Sequence, residues 1–154
     1  MSTEPRIRPK VISAFCENGR ILVYPITDHV TGETVWRTFG GGIELGERST
    51  DALRREVLEE TGHEVDGPAL LGLLEISFTW NGAVEHEICF VFHARFRDAS
   101  VYEQEIVRGV EANGDELLAR WMSLDDFGQD RRLVPEGLLD LLRRSQDPAP
   151  PSAR

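Results

Sequence analysis

Three glutamates, Glu56, Glu59 and Glu60, stand at i, i+3 and i+4 near the end of the run Asp51 to Thr61. On a helix this spacing projects all three from one side. Like charges so placed oppose the helix by roughly 0.2–0.5 kcal/mol per pair, so something should offset the repulsion. Hard divalent cations take oxygen ligands, and Mg²⁺ sites combine few carboxylates with water and substrate phosphates. From these three residues alone, a metal site and a solvated acidic face stand as equal readings.

The neighbouring residues say what would position the acids. Gly40-Gly41-Gly42 permits backbone angles that side chains forbid and lets the backbone approach a ligand closely. Ser49 or Thr50 suits an N-cap, and Asp51 complements the helix dipole. Ala52 to Glu59 mostly favour helix, and Gly62 falls where a C-terminal cap is expected. The spacing predicts a helix from about Thr50 to Thr61, with Leu53 and Val57 as an apolar stripe beside the acids.

Taken together, Gly41, Glu47, Arg55-Glu56, Glu59-Glu60 and Gly62 resemble the Nudix box, G-x5-E-x7-R-E-U-x-E-E-x-G-U. Every position matches except the last, where His63 replaces an aliphatic residue. The approach Trp36-Arg37-Thr38-Phe39-Gly40-Gly41-Gly42 is similar to W-x-x-P-G-G-G, with Phe39 in place of proline. Neither departure touches a carboxylate. Rival motifs fail on spacing: Leu45 stands where a G-x-G-x-x-G needs glycine, Gly46-Glu47-Arg48-Ser49 lacks a P-loop lysine, and neither His63-Glu64 nor His86-Glu87 is followed by a zinc-protease histidine.

The resemblance implies an α+β fold, a mixed sheet between helices. It also implies hydrolysis of a phosphoanhydride in a nucleoside diphosphate linked to another group, with Mg²⁺ as cofactor and Mn²⁺ as a substitute. By the same resemblance Glu56, Glu59 and Glu60 are metal ligands, with Glu60 central, and Gly41 lets backbone approach the metal or phosphates. Arg55 enters the catalytic set through an ion pair with Glu47 that orients the ligand helix. The general base is either Glu59 or an acid from a later loop, among Glu111, Asp115 and Glu116. The choice there is Glu116, just ahead of the strand carrying Trp121.

Composition sets outer bounds. A chain of 154 residues with 40% hydrophobic and 29% charged residues suits one domain with one core. We read residues 1–5 as a tail, 6–144 as the domain and 145–154 as a second tail. The net charge of −10 argues against a general nucleic-acid binder. No apolar run approaches membrane-spanning length, and no signal-peptide core opens the chain. Cys16 and Cys89 read as buried hydrophobes in a reducing compartment, so the cytoplasm is expected. The expected partner is a small nucleotide, and a homodimer is compatible with the chain.

Along the chain, Val11 to Cys16 and Arg20 to Tyr24 read as strands around the hairpin signal Asn18-Gly19. Thr27 to Glu33 reads as a loop, and Val35 to Phe39 as a strand into the glycine turn. Val65 to Ala69, containing Gly67-Pro68, reads as a connection before a strand from Leu70 to Trp80. Asn81-Gly82 is a second hairpin signal, with a return strand from Val84 to Phe96. Tyr102 to Val107 and Leu117 to Met122 are further strand candidates, Ser123 a cap, and Pro135 a helix start before Leu138, Leu139, Leu141 and Leu142. His86, Phe78 and Trp80 are assigned to the core, and Arg131-Arg132 and Arg143-Arg144 to exposed charge.

Two other functions compete. A sensor that binds a nucleotide without cutting it would tend to lose box glutamates, and this chain keeps all of them. An RNA 5′-end pyrophosphohydrolase needs a basic track, which the net charge of −10 disfavours.

Overall fold

The computed structural model describes residues 4–146, so most of both assigned tails lies outside the described residues. Strands β1 (Ile7–Ala14), β2 (Cys16–Glu17), β3 (Arg20–Thr27), β4 (Thr34–Arg37) and β5 (Gly40–Gly42) lead into helix α1 (Ser49–Thr61). The long hairpin β6 (Val65–Trp80) and β7 (Ala83–Phe96) follows, then β8 (Ile106–Val110), β9 (Glu116–Ser123) and helix α2 (Leu138–Gln146). The strands form two sheets, in the orders β5-β1-β7-β6 and β2-β3-β9-β8, with β4 paired to β3. Only β1 and β7 run parallel; the other described pairs are antiparallel.

Alternation along the central strands builds two cores, one on each side. Val11, Leu22, Phe92 and Phe96 pack with Leu53 and Val57 of α1. Their neighbours Ile12, Ile21, Val23, Cys89 and Val91 face the other way, onto Leu138 and Leu142 of α2. A period of two residues sends successive side chains to opposite faces, so a strand apolar at every position is covered twice. This is the expected α+β arrangement of strands between helices, with the strands divided between two sheets rather than one.

Both Asn-Gly signals are turns with positive φ, at Asn18 and Gly19 (54° and 73°) and at Asn81 and Gly82 (51° and 80°). Gly62 caps α1 in the left-handed region at φ 76°, its N–H donating to the Leu58 carbonyl. Other expectations need correction. The N-cap of α1 is Arg48, with no side-chain cap bond, because neither Ser49 nor Thr50 is left outside the helix. Gly67-Pro68 does not interrupt β6; register shifts between Asp66 and Ala69 and between Leu70 and Gly72 absorb it. The strand expected from Tyr102 starts at Ile106, after a short 3₁₀ turn over Ala99–Glu103. Pro135 precedes α2 by three residues rather than opening it.

The two departures from the box pattern both pack. Phe39 is fully buried and lies 5.2 Å, centroid to centroid, from Tyr24. His63 meets Phe96 edge-on at 5.7 Å.

Candidate active site

The glycine turn is held by sheet pairing. Gly40, Gly41 and Gly42 lie opposite Ile12, Val11 and Lys10 of β1. A Cβ on Gly40 would stand 2.0 Å from the Val11 carbonyl oxygen, which is backbone and cannot yield. A Cβ on Gly41 would stand 2.3 Å from the Glu56 carboxyl carbon. Sheet and helix thus meet across a turn that only glycine lets close.

Two box carboxylates converge there. The backbone N–H of Gly40 donates to Glu60 Oε1 at 2.9 Å. Burial pushes the Glu60 carboxyl up to about 8; the Gly40 N–H and Arg37 work against that rise, and Glu56 and Glu111 add to it. Glu59 sits on the outer side, 60% exposed, with Arg55 Nη1 at 3.5 Å.

Arg55 ties these groups into one frame. Its Nε and Nη2 donate to the two oxygens of Glu47 at 2.7 and 2.9 Å. Nη2 also donates to the Gly42 carbonyl at 3.0 Å, and Nη1 to Glu56 Oε1 at 2.9 Å. Hydrogen bonding to Arg55 lowers the Glu47 carboxyl to about 2. Burial opposes the charge on Arg55, but the bonds to Glu47, then Glu56, raise its pKa well above the usual value. Arg55 therefore sets the Glu56 carboxylate against the glycine turn.

The donor set suits a hard divalent cation. Glu56 and Glu60 offer carboxylate oxygens at the turn, with Glu59 on the same helix side. Among the described residues no three His, Cys, Asp or Glu groups form a ready-made metal cluster. Mg²⁺ takes few protein carboxylates and completes its shell with water and phosphate. A buried carboxyl driven toward its neutral form by neighbouring carboxylates is one whose ionisation a bound cation favours.

The loop acids separate. Glu116 points outward, 58% exposed, and pairs with Arg108 at 3.0 Å. Asp115 bonds within its own turn to Asn113. Glu111 is the one whose charge bears on Glu60, Arg37 and Tyr24. Glu111 is thus near enough for its charge to act on Glu60, while Glu116 is engaged on the outer face with Arg108. The reason is strand alternation: Leu117 and Ala119 of β9 face the core, so Glu116 faces out.

Beside Gly41 opens a cavity of about 360 Å³, within the range of small-molecule sites. Ile12, Ile26, Val35, Ile76 and Cys89 line it, with Arg37, Thr38 and Glu87 as polar groups. Phe78 and Trp80 line it too, which corrects their assignment to the core; Phe78 is 37% exposed. His86 is not core either: it is partly exposed, with Nε2 2.9 Å from Glu75 Oε2.

Two positioning residues escaped the sequence reading. Asp28, 3% exposed, accepts from the N–H groups of Val30, Thr31 and Asn81 at 2.7, 3.0 and 3.1 Å. It clamps the β3–β4 loop to the tip of the β6–β7 hairpin, on the cavity wall. An aspartate ahead of a turn is a local signal, but its partner Asn81 is 53 residues away. Gly109 lets β8 lie on α1, since a Cβ there would stand 2.7 Å from the Glu60 carbonyl oxygen.

Comparison with known proteins identifies the family and the fold. The family model described as NUDIX domain matches residues 7–143. The chain is 31% identical over 107 residues to the zebrafish (Danio rerio) oxidized purine nucleoside triphosphate hydrolase, covering 70% of this chain and 60% of the relative. The mouse (Mus musculus) protein of the same name is 31% identical over 92 residues, 60% of this chain and 51% of the relative. Against the NAD-capped RNA hydrolase NudC of Pseudomonas aeruginosa identity is 29% over 140 residues, 89% of this chain and 44% of the relative. The chain thus spans about half the length of the curated relatives it matches. Among solved structures, the MutT NUDIX hydrolase from Burkholderia pseudomallei superposes with a TM-score of 0.65 at 25% identity, covering 90% of this chain and 97% of that one.

Proposed function

The chain belongs to the NUDIX family, and on that footing we propose that it is a Mg²⁺-dependent hydrolase of the phosphoanhydride in a nucleoside diphosphate linked to another moiety. The observation that carries this reading is the Glu60 carboxylate, buried on the Gly40 N–H, with Glu56 against Gly41, which itself lines the cavity of about 360 Å³.

Glu56 and Glu60 would hold Mg²⁺, with Glu59 as the outer ligand. Bound there, the ion supplies neutralisation of the diphosphate charge and a water of lowered pKa. The chain's own residues do the positioning. Arg55, anchored on Glu47 and the Gly42 carbonyl, keeps Glu56 at the turn. Gly40 orients Glu60 through its N–H. Glu111, whose charge acts on Glu60, is the proton acceptor we propose for the attacking water, in place of Glu116; Glu59 is the in-box alternative.

The substrates we propose are small nucleotide derivatives, among them nucleoside triphosphates, oxidised purine triphosphates, nucleotide sugars and ADP-ribose. Relatives' names add the oxidised purines to that list. The sensor reading is disfavoured because every box glutamate is present, with Arg55 engaged on Glu47 and Glu56. RNA 5′ ends are disfavoured by the net charge of −10. Among the described residues no helix is long and apolar enough to cross a membrane. The two free cysteines, Cys16 and Cys89, support the proposal of a cytoplasmic protein.

A turnover screen with Mg²⁺ over those classes, dinucleoside polyphosphates and NADH tests the proposal, run beside Glu60→Gln. Turnover of one class, lost in the variant, is the expected result. Nucleotide binding without turnover of any member would overturn the enzyme and favour the sensor.

A further inference from the structure

The cavity contains a guanidinium with no hydrogen-bonded partner among the described residues. Arg37 ends β4, is partly buried and lines the cavity together with Gly41. Among the described residues its guanidinium makes no hydrogen bond and no ion pair; its ring neighbour is Tyr24, 5.9 Å from the centroid. The other cavity cations are matched: Lys10 lies 3.5 Å from Glu87, Arg8 3.7 Å from Glu85, and Arg132 2.6 Å from Glu33. A guanidinium carries five N–H donors and no acceptor; nearby acids support the Arg37 charge, but its donors are left without hydrogen-bonded acceptors.

The next residue repeats the anomaly. Thr38 is 1% exposed and lines the same cavity, and its hydroxyl has no hydrogen-bond partner among the described residues. Buried polar groups are nearly always satisfied. A ligand acceptor on this wall would meet two adjacent donors that lack partners among the described residues.

Position says which acceptor. Glu60 and Glu111 act on the Arg37 charge from the box side, and Glu87 from the cavity side. Arg37 therefore stands where the acidic site gives way to the apolar walls of Ile26, Val35, Ile76 and Phe78. In a nucleotide with its anhydride at the box acids and its base on those walls, the group between is the phosphate nearest the sugar. The guanidinium fork matches two phosphate oxygens.

We propose that Arg37 and Thr38 form the subsite for the phosphate that stays on the nucleoside after cleavage. This rests on the hydrolase reading of the neighbouring acids. It assigns to the chain a second, metal-independent grip on its substrate, and it makes the nucleoside monophosphate a ligand in its own right.

The test is titration calorimetry of the full chain in EDTA, with AMP, GMP, CMP and UMP, each beside its unphosphorylated nucleoside. At least one monophosphate should bind about tenfold or more tightly than its nucleoside. Arg37→Gln should weaken that monophosphate roughly 10- to 100-fold and leave the nucleoside unchanged. Arg37→Lys should fall between. Thr38→Val, which replaces an unpaired hydroxyl by a methyl of the same shape, should keep its melting temperature and bind about three- to tenfold more weakly; it carries the test if Arg37→Gln does not fold. Unchanged monophosphate affinity in the variants would overturn the subsite. So would equal weakening of nucleoside and monophosphate, which would mark Arg37 as a reader of the base. Turnover is a separate reading: Arg37-dependent binding without Mg²⁺-dependent hydrolysis would sink the enzyme, whereas hydrolysis without that binding would sink the subsite.

Discussion

Gly41 and Glu56 are in contact across the turn: a methyl group on Gly41 would lie 2.3 Å from the Glu56 carboxyl carbon and 2.4 and 2.5 Å from its oxygens. The clash is with the far end of a flexible side chain, so the carboxylate would swing away and the fold would survive. Gly41→Ala should keep its melting temperature within a few degrees while losing Mg²⁺ affinity and roughly 10- to 100-fold in kcat. Gly40→Ala meets backbone at 2.0 Å instead, and should fail to fold or melt far earlier. Thermal melts beside turnover separate the two; wild-type activity in Gly41→Ala would refute the contact's role.

The Arg55–Glu47 fork should register in both activity and acid stability. Arg55→Lys keeps the charge but cannot span both Glu47 oxygens, the Gly42 carbonyl and Glu56 together. Its kcat should drop about 10- to 100-fold. Glu47 has its folded pKa depressed to about 2 from 4.5. Its stabilisation is therefore present above pH 4.5 and is lost as pH falls toward 2. Denaturation of wild type and Glu47→Gln should differ at pH 6 and converge as pH approaches 2; a constant gap would contradict the assignment.

Mg²⁺ should stabilise the folded chain by binding it and not the unfolded one, by about 2.7 kcal/mol at a concentration a hundredfold above Kd. Melting of wild type should rise with Mg²⁺, while Glu56→Gln and Glu60→Gln should show little rise. Chelation should return the wild type to its metal-free melting point. An equal rise in all three proteins would place the ion elsewhere.

Glu111 and Glu116 make opposite forecasts. Glu116 is engaged with Arg108 on the outer face, so Glu116→Gln should stay within about twofold of wild type. Glu111→Gln removes the loop acid that acts on Glu60 and, if it is the base, should lower kcat by about 10²–10⁴. The pH–rate profile of each variant would check this, and a reversed order would restore Glu116.

Asp28 holds a cavity wall rather than the reacting groups. Asp28→Ala frees three N–H groups and unlocks the β3–β4 loop from Asn81. The expected result is a higher KM with kcat largely kept, together with faster amide exchange at Val30, Thr31 and Asn81. Loss of kcat at unchanged KM would argue against a positioning role.

What the sequence determined lies within single elements. The spacing of Glu56, Glu59 and Glu60, the apolar stripe of Leu53 and Val57, the Asn-Gly turns and the Gly62 cap are set by interactions over a few residues, where helix and strand periodicities act directly. The α+β arrangement and the box helix followed from them, together with the resemblance they carry. Tertiary structure decided the rest. Glu116 faces outward to Arg108 because the phase of β9 depends on which side of it the core forms. Phe78 and Trp80 line a cavity whose other walls come from β1, β3, β4 and β7, distant in sequence. Asp28 finds Asn81, and Arg37 comes to line the cavity with Gly41 and Glu87, only through pairings far apart in sequence. No local periodicity encodes such contacts, because they exist only once the strands have paired and packed.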